Sequence, residues 1–307
     1  MSASVRSRPS RLLPLRLGTR GSALALAQAH WVAERLGDEV ELVTITTSGD
    51  RGSHEDKSRF VKEIEDALLA GEVDLAVHSA KDVPGELPAG LAIVGVPERA
   101  DPSDALCGAP SLDALDTGAV VGTASVRRRA QLAALRPDLE VRELRGNVDT
   151  RLRRLATGDY DAIVLAQAGL ERLGRGGEGE PLPELVPAPG QGCLALEARA
   201  DDEGAAAAAA ALTDRDALTA LTAERALVTA LGATCHTPIG AHAGLRDGAL
   251  ALTAFVGLPD GSHWIRDELD GDAAEPAPLG RAVAQRLEAA GAREVLEQAE
   301  RAALDVR

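Results

Sequence analysis

Through the first two thirds of the chain, short apolar runs of strand length alternate with longer stretches whose apolar positions recur at helical spacing. "PLRLGT" precedes "SALALAQAHWVAERL", "EVELVTITT" precedes "SRFVKEIEDALLAG", and "VDLAVHSA" follows. The pattern restarts after residue 117: "GAVVGT" with "SVRRRAQLAALR", "LEVREL" with "NVDTRLRRLATG", "YDAIVLA" with "QAGLERLG". Such alternation predicts βα units on largely parallel sheets, hence two doubly wound α/β lobes. The Pro-rich segments at 96–104 and 186–192 read as crossings between the lobes, and "CLALEAR" at 193–199 as a strand returning to the first. Two crossings make a hinge, which puts the ligand site in the cleft between the lobes. Seven consecutive alanines at 205–211 predict helix. Beyond Gly232 come short strands and turns, then helical stretches near 278–290 and 292–304, a small C-terminal α+β domain. The expected organisation is a disordered tail over 1–12, a first domain over 13–98 with 192–216, a second over 99–191 and a third over 217–307.

Composition narrows the function. The 307 residues carry a formal net charge of -15 and five aromatics (Trp31, Phe60, Tyr160, Phe255, Trp264), which argues against nucleic acid and anionic membranes as partners. The arginine-rich first twenty residues lack a continuous apolar core, and no run reaches the ~18 apolar residues of a membrane span. The three cysteines, Cys107, Cys193 and Cys235, fit neither a disulfide framework nor a CxxC metal site. Cys107 and Cys193 read as core filler; His30, His54, His242 and His263 show no ligand spacing, so no metal is expected. A reducing cytoplasm is the expected compartment.

Within this acidic chain, residues 124–154 hold nine arginines against four acids. Ser22 and Ser125 follow strands and are placed to cap the next helices, so helix N-terminal amides face the carboxyl ends of strands in both lobes. Arg127 and Arg128 then fall in a first helical turn, where each opposes the helix dipole by roughly 0.3–1 kcal/mol. That placement makes sense if an anion binds there, and Arg145 and Arg151 are expected on the same wall. Arg129, Arg136, Arg153 and Arg154 read as a solvated helix face.

The strand "VDLAVHSA" ends in His78, Ser79, Lys81 and Asp82, polar groups expected to face the cleft. On pattern alone Lys81 and Asp82 are equally a surface ion pair. Cys235 and His236 stand in "LGATCHTPIG", a loop at the entrance of the third domain. There the cysteine reads as nucleophile, metal ligand, redox centre or filler.

The stretches "LGTRGSALALAQAHWV", "FVKEIEDALLAGEVDLAVHSAKDVP", "VVGTASVRRRAQL", "RGNVDTRL", "YDAIVLAQAGLERLG", "PAPGQGCLALE" and "CHTPIGAHA" resemble the porphobilinogen deaminase (hydroxymethylbilane synthase) family, in its order, over about 15–300. The resemblance implies three domains, the first two like type II periplasmic binding proteins. It also implies a monomeric transferase of tetrapyrrole biosynthesis that joins four porphobilinogen units with loss of ammonia into hydroxymethylbilane. By the same resemblance Cys235 anchors one covalent dipyrromethane cofactor through a thioether, and Asp82 is the catalytic carboxylate. Lys81, Ser125, Arg127, Arg128 and Arg151 are the cofactor-holding set; Arg20, Ser22 and Arg145 contact the incoming pyrrole; Lys57 and Lys62 stand for the family's flexible-loop lysines. The loop before "FVKE" departs from the family in its acidic "SHEDKSR", and the segment around Cys235 in reading "GATCH". A non-enzymatic two-lobed binder of a small anion is the alternative from residues alone.

Overall fold

The computed structural model describes residues 14–45, 58–233 and 237–305. The first lobe is built from β1 (Leu15–Arg20), α1 (Ala23–Leu36), β2 (Val40–Ile45), α2 (Ser58–Leu69), β3 (Leu75–Ser79) and β4 (Leu91–Gly95). The chain then crosses to β5 (Asp104–Cys107), β6 (Val120–Gly122), α3 (Val126–Leu135), β7 (Glu140–Arg142), α4 (Val148–Ala156), β8 (Ala162–Ala166), α5 (Gln167–Arg172) and β9 (Glu180–Leu182). It crosses back into β10 (Leu194–Arg199), followed by α6 (Glu203–Ala210). The sheet orders are β2-β1-β3-β10-β4 and β7-β6-β8-β5-β9, the same plan twice. In each sheet the strand next to the edge follows directly on a crossing and runs antiparallel to both neighbours: β10 between β3 and β4, β5 between β8 and β9. The lobes thus repeat one design of four parallel strands and one antiparallel insert.

The expected caps form. Ser22 accepts from the Ala25 amide at 3.3 Å and Ser125 from the Arg128 amide at 3.4 Å, while Asn147 caps α4 through the Thr150 amide at 2.9 Å. Each satisfies an amide that the helix leaves without an internal acceptor.

The third domain consists of α7 (Arg215–Ala230), the antiparallel strands β11 (Ile239–Arg246), β12 (Ala249–Gly257) and β13 (Trp264–Gly271), α8 (Pro276–Ala289) and α9 (Ala292–Asp305). Its core packs Leu227 of α7, Leu252 and Val256 of β12 and Val283 and Leu287 of α8. Helix α7 also belongs to the first lobe, where Ala217 and Leu221 pack with Ala80, Val83, Val96 and Ala195. On the other side of β12, Phe255 packs on Ala130 of α3 and Val186 of the second crossing, which seats the domain on the second lobe.

Sequence periodicity does not mark β4, β5, β9 or β11. All four residues of β5 are buried, so they show no alternation, and β9 is a three-residue edge strand containing Pro181. The run at 239–246 is too rich in small residues to read as strand, yet it pairs with β12 over its whole length. Arg136 differs from the solvated reading. Its guanidinium binds Asp138 and the Leu112 and Leu115 carbonyls, tying the end of α3 to the preceding loop. The tail over 1–12 lies outside the described residues.

Candidate functional site

Between the lobes, with the third domain closing one side, lies a cavity of about 1380 Å³. That exceeds the roughly 300–1,000 Å³ of an ordinary small-molecule pocket, so it has room for an extended ligand. The first lobe contributes Arg20 at the end of β1, Ser22 at the head of α1, and Ser79, Lys81 and Asp82 where β3 passes into a single 3₁₀ turn. Lys81 Nζ donates to Gln191 Oε1 at 3.3 Å. The half-buried Asp82 carboxylate forms no ion pair among the described residues, so its charge is open to whatever occupies the cavity.

The second lobe supplies a wall of guanidinium groups. Arg127 and Arg128, at the head of α3, are 3% and 5% exposed. They share the fully buried Asp104 carboxylate, with Nη–Oδ distances from 2.7 to 3.1 Å. The first-turn charges expected to await an external anion therefore already have an internal one. Burial alone would raise the Asp104 pKa, but the two guanidiniums reverse that and hold it far below the usual carboxylate range. One carboxylate does not balance two cations, and burial lowers the Arg128 pKa despite Asp104.

Arg151 and Arg172 are less compensated. Arg151 Nε donates to the Gly146 carbonyl at 2.8 Å and an Arg172 Nη to the Gly192 carbonyl at 2.6 Å, and neither has an ion pair among the described residues. Burial, with the like charge of Arg128, pushes Arg151 down to about 10, and burial lowers Arg172. Cations depressed in this way are stabilised by an arriving anion, so the residues present fit a group bearing several carboxylates. Arg145 also lines the cavity and pairs with Glu143 at 2.7 Å, both more than half exposed. Arg172 was not singled out from sequence; its signal was available as the basic residue ending α5 in "QAGLERLG".

The crossings are fastened to each other and to the third domain. Gln191, 1% exposed, donates to the Pro102 and Ser103 carbonyls and to Asp104, and its own carbonyl accepts from Arg99 Nε at 3.0 Å. The fully buried Glu224 of α7 accepts from Arg99 at 2.7 Å, the Gly190 amide at 2.6 Å and the Ala243 amide at 2.8 Å. Gly190 has φ +74°, and a Cβ there would lie 3.0 Å from the Ala80 carbonyl carbon and the Lys81 amide. The second crossing is thereby pressed against the turn that carries Asp82.

Two expectations are corrected. His78 does not face the cleft. Strand alternation turns it to the opposite face of the sheet, where Nε2 lies 3.0 Å from Glu197. With Glu65 of α2 it forms a buried acidic cluster, in which burial and then the Glu197 charge push the Glu65 carboxyl up to about 7. Lys62 is not a loop residue. It sits exposed in α2, away from the cavity lining. Cys235, His236, Lys57 and His54 lie outside the described residues, but Ala233 and Thr237 on either side of the cysteine segment both line the cavity. Cys107 and Cys193 are buried as expected, with thiols pushed up by burial to about 11 and about 12. No metal-binding group of His, Cys, Asp and Glu occurs among the described residues. No helix among them is long and apolar enough to cross a membrane.

Under-compensated guanidiniums and a carboxylate without an ion pair thus line one interlobe cavity, the chemistry of a site for an extended anion bearing several carboxylates. Models of the "Porphobilinogen deaminase, dipyromethane cofactor binding domain" and the "Porphobilinogen deaminase, C-terminal domain" match residues 15–207 and 218–289, and the chain belongs to the porphobilinogen deaminase family. The porphobilinogen deaminase of Thermus thermophilus is 50% identical over 294 residues, covering 92% of this chain and 98% of that protein. The one from Deinococcus radiodurans is 47% identical over 300 residues, covering 92% and 97%. Among solved structures, a periplasmic substrate-binding protein of an ABC transporter from Coxiella burnetii gives a TM-score of 0.41 at 17% identity, covering 67% of this chain and 94% of that one. A likeness that loose supports no functional inference.

Proposed function

We propose that the chain condenses four porphobilinogen molecules head to tail, with loss of ammonia at each addition, to give hydroxymethylbilane. The observation that carries this reading is the meeting, in one cavity, of the Asp82 carboxylate with the poorly compensated Arg128, Arg151 and Arg172. Porphobilinogen bears two carboxylate arms, so a growing chain needs cations in number along one wall. Lys81, Ser125, Arg127, Arg128 and Arg151 would hold dipyrromethane, attached once per chain to Cys235. When bound, that group would supply the free pyrrole carbon to which the first unit is joined, each later unit joining the ring added before it. Arg20, Ser22 and Arg145 would take the arms of the incoming substrate.

Asp82 acts on the positive charge that develops on the substrate's pyrrole nitrogen as ammonia leaves. A carboxylate about 4 Å from that charge lowers its energy by about 4 kcal/mol at an effective dielectric near 20. Gln191 holds Lys81 beside it, and Gly190 fixes the turn's distance from the second crossing. The enzyme works as a cytoplasmic monomer on a small anion; its net charge of -15 disfavours nucleic acid as a partner.

Intact mass of the purified protein tests the attachment. The native chain is expected to carry an adduct of two pyrrole units, and Cys235→Ser to lack it. An unmodified chain that turns over porphobilinogen at full rate removes the cofactor assignment.

A further inference from the structure

Asp104 opens β5 at the end of the first crossing and is 0% exposed. Its carboxylate receives five hydrogen bonds: Arg127 Nη1 on Oδ2 at 2.7 Å, and Arg127 Nη2, Arg128 Nε, Arg128 Nη2 and Gln191 Nε2 on Oδ1 at 2.8–3.1 Å. The two arginines use it differently. Arg127 straddles both oxygens and gives its other Nη1 hydrogen to the Val186 carbonyl at 2.7 Å. Arg128 puts Nε and Nη2 on a single oxygen and gives Nη1 to the Val164 carbonyl at 2.8 Å, leaving one hydrogen on each terminal nitrogen. Arg127 likewise keeps two, one on Nη2 and one on Nε, which is buried without an acceptor. Two cations and one anion leave this buried group at +1, with hydrogens from both arginines available to a second acceptor.

We propose that Asp104 is a charge-setting, positioning residue of the arginine wall: it cancels one of the two guanidinium charges at the head of α3 and leaves the pair, Arg127 and Arg128, to take a single carboxylate arm between them. The proposal rests on the reading of the cavity as a polycarboxylate site, and it concerns how many charges the head of α3 accepts. With Asp104 in place the head of α3 admits one acidic arm. Without its charge, the same volume holds two uncompensated guanidiniums and recruits a small anion from solution in its place.

The experiment compares full-length wild type, Asp104→Asn and the double variant Asp104→Asn/Arg127→Met, which restores the net charge of +1. Each is melted with increasing inorganic phosphate at constant ionic strength. Asp104→Asn is expected to melt about 10 °C below wild type without phosphate and to regain much of that loss as phosphate is added. Wild type and the double variant should respond to phosphate weakly and alike, with the double variant the more stable of the two variants. In turnover, phosphate should compete with porphobilinogen against Asp104→Asn at roughly tenfold lower concentration than against wild type, raising KM and not lowering kcat. An Asp104→Asn chain that fails to fold while the double variant folds also supports charge balance. Equal instability of both variants, or identical phosphate responses in all three, overturns the proposal. Melting needs neither turnover nor attached pyrroles, so its outcome is separable from that of the Cys235 mass test.

Discussion

Replacing Glu65 by glutamine should flatten the protein's stability between pH 4.5 and 8. In the folded chain Glu65 lies on the buried face of α2 against Glu197 and His78, 5% exposed, and its carboxyl is pushed from 4.5 up to about 7 by burial and then by Glu197. A carboxyl raised in the folded state favours folding below the unfolded value, where both states are protonated. That contribution is lost as pH rises through the folded value, because the unfolded chain can release the proton and the folded one resists. The interval from 4.5 to about 7 corresponds to about 3 kcal/mol. An amide has the shape of the protonated acid and no proton to lose. Glu65→Gln should therefore match wild type at pH 4.5 and exceed it at pH 8 by up to about 3 kcal/mol, or roughly 5–10 °C in melting temperature. Melting both proteins across that range, and plotting the difference, cancels the other titrating groups. Parallel curves would show that Glu65 keeps its charge when buried, with His78 as its effective counter-ion.

Asp82→Asn should fold normally and lose about 10³-fold in kcat/KM, the factor that about 4 kcal/mol of transition-state stabilisation represents; a loss under tenfold would point to another carboxylate. Arg151→Gln removes a cation that folding disfavours, so melting temperature should hold or rise while turnover of porphobilinogen falls roughly 10- to 100-fold as the attached pyrroles lose a carboxylate partner. Gly190→Ala forces a side chain into a left-handed backbone and against the Lys81 amide, and should cost about 1–3 kcal/mol in denaturant titration along with much of the turnover. Cys107 and Cys193 should resist a thiol reagent at pH 8 until the chain is unfolded, which time-resolved labelling and mass analysis can follow.

Much of this architecture was legible because the regular helices and most strands of the lobes carry a strong period, and because Ser22 and Ser125 are local signals that act through their own hydroxyls. The walls of the cavity were legible by type of charge and not by pairing. Arg127 and Arg128 announce an anion, but nothing local says that the first anion is Asp104, 23 residues earlier in a strand too short and too buried to show a pattern. His78 is close to Asp82 in sequence but not in space, because one step along a strand reverses the face. Gln191 and Glu224 act only once two crossings and a helix meet, and the contacts of Glu224 span from 19 residues to 125.

The insertion of β10 between β3 and β4 has a consequence for how the chain is made. The second lobe's sheet draws all its strands from residues 104–182, one contiguous stretch. The first lobe's sheet keeps a gap until residue 199 has been synthesised, with β3 and β4 each presenting an unpaired edge. On the ribosome the lobe that begins first is thus completed second, reversing the usual N-to-C order of domain folding. Through that interval the nascent protein carries two open strand edges, the surface most exposed to mispairing and most in need of a chaperone's cover.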